Sequence, residues 1–197
     1  MPEMNGRRGD IEFSSQSDKL GTMITAWLVE PLSAKKHRRH DFSCEAPELT
    51  EFLRNRAGAE MEARASACFV MVPQDEASRI AGFFTLSAAT IRLARLPPTW
   101  ATQLPEYPNL PATLLGRLAR DQNFRGAGLG DLLLVSALRR ALDSTTQVGS
   151  VAVVADPKNA GAEAFYQKHG FRNLGGGRRM FLPTKEIAAA FEKGGVA

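Results

Sequence analysis

The chain has 197 residues, of which 44% are hydrophobic and 23% charged, with a formal net charge of +4. These proportions are those of an ordinary globular chain: they exclude a collagenous, largely disordered or membrane-embedded one, and the length suits one hydrophobic core better than two. The longest apolar runs, such as Leu132 to Val135 and Val151 to Ala155, fall far short of the roughly 20 residues of a membrane span, so a soluble cytoplasmic protein without membrane contact is expected. Cys44 and Cys68, the two cysteines, build no disulfide framework and have no neighbour at metal-ligand spacing. Both read as reduced packing residues, and no metal is expected.

Residues 1–22 hold few apolar anchors and read as a flexible tail before a single domain over 23–197. Trp27 to Val29 reads as a short strand. Lys35, Lys36, Arg38 and Arg39, flanked by His37 and His40, form a dense cationic run. The stretch Pro47 to Leu53 opens a helix, with proline in the first turn, early acids and apolar side chains a turn apart, and the helix is expected to reach about Arg64. Cys68 to Val72 and Ile80 to Ala88 flank a Pro73 to Glu76 turn and read as a hairpin. The connection holding Pro97, Pro98, Pro105, Pro108 and Pro111 reads as a surface loop. Thr113 to Leu118 is expected as a strand and Gly128 to Asp143 as a helix, with Leu132, Leu133, Val135, Ala137, Leu138 and Leu142 as its buried stripe. Val148 to Ala155 reads as a central strand, Asn159 to His169 as a helix stopped by Gly170, and Phe171 to Leu182 as the last strand or strands. There is no internal repeat.

One segment has a chemical purpose. A strand, then Arg125-Gly126-Ala127-Gly128-Leu129-Gly130, then a helix, lets successive backbone N–H groups turn toward one anion while the helix N-terminus adds its partial positive charge. A diphosphate is the natural guest, although a glycine triplet taken alone is a weak signal that a plain turn explains better. The loop lacks the Lys-Ser/Thr ending of a nucleotide-binding P-loop, and its glycine spacing differs from the dinucleotide fingerprint.

With these residues the sequence resembles the GCN5-related N-acetyltransferases, whose pyrophosphate loop follows Arg/Gln-x-x-Gly-x-Gly/Ala. The later family feature is also present as Asn159, Ala164-Phe165-Tyr166 and Gly170-Phe171. The resemblance implies an α/β fold, with a mixed central sheet of about six or seven strands flanked by about four helices. It implies acetyl-coenzyme A as cofactor, held by Leu118, Ala119, Gln122, Arg125, Gly126, Ala127, Gly128, Leu129, Gly130, Asp131, Val154, Asn159 and Phe165. It places the general acid at Tyr166, and the backbone of Val153 to Ala155 along the pantetheine and the carbonyl.

A narrower likeness runs through Phe42-Ser43-Cys44, Leu49 with Phe52-Leu53, Gly82 to Ser87 and Leu115 to Asp121. It is to the acetyltransferase toxins of bacterial toxin–antitoxin pairs, which acetylate the amino group of aminoacyl-tRNA and arrest translation. That likeness implies a ribbon-helix-helix antitoxin as partner, and it leaves out the first 20 or so residues. No Asp or Glu lies between Phe83 and Ala89, where many members of the wider family place a general base. The α-amino group of an aminoacyl ester is largely neutral near neutral pH and needs no strong base, so water near the backbone of Leu86 to Ala88 would serve. Lys35, Lys36, Arg38, Arg39, Arg92, Arg95 and Arg117 then become candidate contacts to tRNA phosphates, with a steep salt dependence. Trp100 and Tyr107 are candidates for an acceptor wall, a homodimer contact or plain packing. Two rival functions stay open: acetylation of a small amine, antibiotic or protein amino group, and a non-catalytic acetyl-coenzyme A-binding module.

Overall fold

The structure, a computed structural model, describes residues 27–126 and 128–194; the tail read over 1–22, the domain boundary at 23 and Ala127 of the glycine loop lie outside the described residues. Alternating apolar residues build a seven-stranded mixed sheet. Strands β1 (Trp27–Pro31), β2 (Ala67–Pro73), β3 (Gly82–Arg92) and β4 (Asn109–Arg120) form an antiparallel meander. Strand β5 (Ala152–Ala155) lies parallel to β4, while β7 (Met180–Pro183) runs antiparallel to β5 and carries β6 (Arg172–Asn173) at the edge. The helices are α1 (Pro47–Glu51), α2 (Ala57–Glu62), α3 (Pro98–Ala101), α4 (Leu129–Ser144), α5 (Ala160–Lys168) and α6 (Thr184–Lys193). This is the mixed α/β architecture that the family resemblance implies.

Three clusters hold the sheet. On one face α4 and α6 bury Leu132, Leu133, Leu134, Ala137, Leu138 and Ile187 against Phe84, Leu115, Val153 and Leu182. Leu134 belongs to this core, whereas Val135 and Leu142 of the expected stripe are only half-buried. Phe42, Phe52, Leu53 and Ala57 cover Val70, Val72 and Phe83 in a second cluster. The third joins Ile91, Leu96 and Leu110 to Val154 and Phe181.

Several boundaries move. The helix expected over Pro47 to Arg64 is interrupted by a π turn at Phe52–Arg56; the wider turn buries Phe52 and Leu53 side by side, and Arg54 grips the Phe42 carbonyl with Nε and Nη2 at 3.0 and 2.7 Å. The proline-rich connection is not merely a surface loop. It holds α3, with Pro98 in the first turn where a missing N–H costs nothing, and Trp100, Ala101 and Leu104 pack on the third cluster. Strand β4 begins at Asn109 rather than Thr113 and passes through Pro111, whose carbonyl accepts from Val151 N. Its missing donor therefore faces away from β3, on a side where the β5 ladder has not yet begun. Strand β5 starts only at Ala152, Val148 being exposed beyond α4. Helix α6 has no counterpart in the sequence reading.

Candidate functional site

The parallel pairing of β4 and β5 spans only Thr113–Leu115 against Val153–Ala155, while β4 continues to Arg120 alongside β3. Beyond Leu115 and Ala155 the two strands part, leaving one edge of β4 without a strand partner. The register of β3 against β4 shifts at the same place: Thr85 faces Arg117 and Leu86 faces Leu115, so Gly116 is the extra residue of a β-bulge. A Cβ on Gly116 would stand 3.2 Å from Thr85 Oγ1. The bulge turns backbone N–H and C=O groups out of the ladder where the crevice opens.

At the far end of β4 the chain makes a tight 3-10 turn over Gln122–Phe124. Buried Asp121 fixes this path: Oδ1 accepts from Asn123 N at 2.9 Å and Oδ2 accepts from Ser43 N at 2.8 Å. Gly126 and Gly128 then take positive φ, 80° and 66°. Gly128 is the N-cap residue of α4 and no side chain caps the helix, so the first-turn N–H groups face outward with the helix dipole behind them. The fit to a diphosphate rests on this pair of left-handed glycines before an uncapped sixteen-residue helix.

The residues assigned to the cofactor fall into two sets. Leu118, Ala119, Gln122, Arg125, Gly126, Gly128, Leu129 and Gly130 follow one another from the unpaired edge of β4 into α4. Leu118 is half-buried, Ala119 and Leu129 are core, and Gln122 is exposed. Val154 lies mid-strand in β5 with its side chain buried in the third cluster, which leaves its backbone as the group nearest the crevice. On α5, Asn159 is the N-cap residue and accepts from Ala162 N at 2.8 Å. Phe165 faces Gly130, where a Cβ would stand 3.8 Å from its ring. Asp131 is committed elsewhere: Oδ1 lies 3.2 Å from His169 Nε2 and Oδ2 lies 3.4 Å from Lys168 Nζ.

Tyr166 is buried, with its ring packed against Phe165 and Phe171 at centroid distances of 5.5 and 5.1 Å. Among the described residues no protein atom hydrogen-bonds its hydroxyl, and the hydroxyl oxygen is not sealed from solvent. Burial pushes the phenol up to about 12. Desolvation does the same to the Cys68 thiol, also to about 12, so Cys68 is an inert packing group. Both groups hold their proton more tightly when folded, so the stability tied to them is complete below the unfolded values of 9.0 and 10.0 and is lost as pH rises toward 12. A melting temperature that falls progressively above pH 9 is expected; a flat profile between pH 9 and 11 would contradict the burial of both groups.

The cationic residues are less available than their sequence suggests. Lys36 pairs with Glu30 at 2.5 Å, and Arg38 pairs with Asp41 at 3.0 Å and also with Glu76. Arg39 is half-buried beside Gly58, while Lys35, Arg92 and Arg95 are exposed. Arg117 lies 3.6 Å over the Phe52 ring and pairs with Glu60 at 3.2 Å, on the α2 side of the bulge. His37 is buried: Nδ1 accepts from Ser33 N at 2.9 Å, so the proton sits on Nε2, which donates to Glu30 Oε1 at 2.8 Å. Trp100 is half-buried in the third cluster and Tyr107 is 63% exposed. Among the described residues no helix is long and apolar enough to cross a membrane. The sequence reading missed Gly116 and Glu60; the only signal for Gly116 is a glycine inside a strand.

A parallel pair that splits at a bulge, opening toward a helix that starts at a left-handed glycine, is the arrangement of an acetyltransferase, and residues 66–173 match the acetyltransferase (GNAT) domain family, to which the chain belongs. It is 30% identical over 168 residues to the probable toxin TacT of Sinorhizobium fredii, covering 81% of this chain and 92% of that protein. It is 33% identical over 125 residues to the tRNA-acetylating toxin of Mycobacterium tuberculosis, covering 64% of this chain and 72% of that one. The solved structure of AtaT complexed with acetyl-methionyl-tRNAfMet superposes with a TM-score of 0.77 at 25% identity, covering 84% of this chain and 99% of that chain.

Proposed function

We propose that this chain is an acetyl-coenzyme A-dependent N-acetyltransferase of the toxin type, which acetylates the α-amino group of aminoacyl-tRNA and thereby blocks translation. The observation that carries the reading is the continuous path from the Gly116 bulge, along the unpaired edge of β4, to the uncapped start of α4. Relatives named as a toxin and as a tRNA-acetylating toxin support the choice of acceptor.

Acetyl-coenzyme A, when bound, supplies an activated acetyl thioester. The backbone N–H groups around Gly126 and Gly128 and the first turn of α4 would hold its diphosphate, with Arg125 as counter-charge. The unpaired edge of β4 and the backbone at Val154 would orient the pantetheine arm, and Phe165 would wall it from α5. Tyr166 holds a proton at Oη across the working pH range, available to a departing thiolate. Strand β3 contains no acidic residue, which suits an acceptor amine that is already neutral near pH 7. Exposed Lys35, Arg92 and Arg95, with Arg39, are the residues best placed to meet RNA phosphate; Lys36, Arg38 and Arg117 would first have to leave their carboxylates. A cytoplasmic location and a ribbon-helix-helix antitoxin partner follow from the same reading.

The test uses purified protein, labelled acetyl-coenzyme A and a total pool of charged tRNA, followed by nuclease digestion. Label on an N-acetyl-aminoacyl adenosine is expected. Label passing only to small amines or to protein, with none on RNA, would overturn the assignment.

A further inference from the structure

Between the end of β4 and the glycine loop, two guanidinium groups converge on one carboxylate. Arg125 Nη2 lies 2.5 Å from Glu45 Oε1, and Arg120 Nη2 lies 3.5 Å from the same oxygen. Glu45 follows a stretch stitched to this end of the sheet, where Ser43 N donates to Asp121 Oδ2 and Gln122 N donates to Ser43 O, both at 2.8 Å. The Glu45 side chain itself is 64% exposed.

Arg120 is poorly provided for. Its one partner is held at the limit of a hydrogen bond and shared with a closer competitor. Its other terminal nitrogen, Nη1, is buried and has no hydrogen-bond partner among the described residues. Leaving a buried guanidinium N–H without an acceptor costs free energy, and a natural sequence rarely keeps such a group without a use for it. Two guanidinium groups thus share one exposed carboxylate close to a helix start that no side chain caps, where the acetyltransferase reading puts a diphosphate.

We propose that Arg120 is a further cofactor-anchoring residue and that Glu45 is the resident counter-ion of the cradle, displaced when the diphosphate arrives. This rests on the cofactor-binding reading of the site, not on the identity of the acceptor. A diphosphate offers more charge and more oxygen acceptors than one carboxylate, so it can serve the forks of both arginines at once, Arg120 Nη1 included. Glu45 is exposed enough to return to water at little cost. While present it opposes the cofactor twice, by holding the arginines and by repelling a like charge. Its effect is to loosen coenzyme A and hasten release of the spent carrier.

The experiment is isothermal titration of the full chain with coenzyme A, for wild type, Glu45→Gln, Arg120→Met and the double variant, with melting temperature as the fold control. Glu45→Gln is expected to tighten coenzyme A about fourfold, the scale of an exposed ion pair. Arg120→Met is expected to weaken it about tenfold, and by more in the Glu45→Gln background, where the arginine is freed. Arg120→Lys, which keeps the charge and loses the fork, is expected to fall between, and it stands in if Arg120→Met does not fold. Glu45→Gln binding no tighter than wild type, or Arg120→Met or Arg120→Lys binding as well as wild type, overturns the proposal. Wild type that does not bind coenzyme A overturns it together with the site on which it rests. Wild type and variants that bind as expected while charged tRNA stays unlabelled would uphold it and remove only the proposed acceptor.

Discussion

Replacing Tyr166 by phenylalanine is expected to lower kcat by about a hundredfold to a thousandfold, the range of a positioned general acid. Melting temperature and coenzyme A affinity should stay near the wild-type values. The separation of effects follows from geometry: the ring makes the contacts with Phe165 and Phe171, and phenylalanine keeps them. The hydroxyl has no protein partner among the described residues, so removing it leaves no protein donor or acceptor orphaned. Because burial holds the phenol up to about 12, wild-type turnover should show no alkaline loss assignable to Tyr166 below about pH 10. Steady-state kinetics at saturating charged tRNA, with a titration of coenzyme A on the variant, checks both halves. A Tyr166→Phe enzyme with unchanged kcat would remove the phenol from the mechanism.

Gly128→Val is expected to abolish useful cofactor binding, weakening coenzyme A at least about tenfold while costing about 1–2 kcal/mol of stability. Gly128 has φ 66° and is the N-cap residue of α4. A β-branched side chain resists that left-handed conformation, and relieving the strain would rotate the N–H groups proposed to hold the diphosphate. Asparagine tolerates the same conformation, so Gly128→Asn should keep most of the affinity. The comparison separates backbone geometry from mere loss of a glycine. Valine binding coenzyme A as tightly as wild type would mean that the loop is a turn and not a cradle.

What could be read from the sequence was mostly local. The β2–β3 hairpin, α4 and α5 each announce themselves by periodicity over a handful of residues, and the glycine loop and Tyr166 sit at their ends. Features that depend on distant parts of the chain did not show. The Gly116 bulge exists because β4 pairs with β3 along its length but with β5 only over Thr113–Leu115, and nothing near Gly116 encodes where the second partner stops. The acids that occupy the arginines lie far away in the chain: Glu60 is 57 residues from Arg117, and Glu45 is 75 from Arg120 and 80 from Arg125. The run at Lys35 to Arg39 is likewise drawn into ion pairs by folding, which brings Glu76 against Arg38 and turns His37 inward onto Glu30. Helix α6 is a different case. Ile187 and Phe191 stand one helical turn apart and both meet the α4-side core, a local periodicity that the sequence itself carries.

The Asp131 bridge has a mechanical meaning. It rises from the first turn of α4, just past the glycine loop, and meets His169 and Lys168 at the closing end of α5, the charges of Asp131 and Lys168 each complementing the dipole of its own helix. Under the proposed function, the platform that would grip the carrier and the arm that bears the Tyr166 hydroxyl are thereby tied at one joint. A shift of the loop would reach the phenol along this bridge as well as through Phe165, which packs over Gly130.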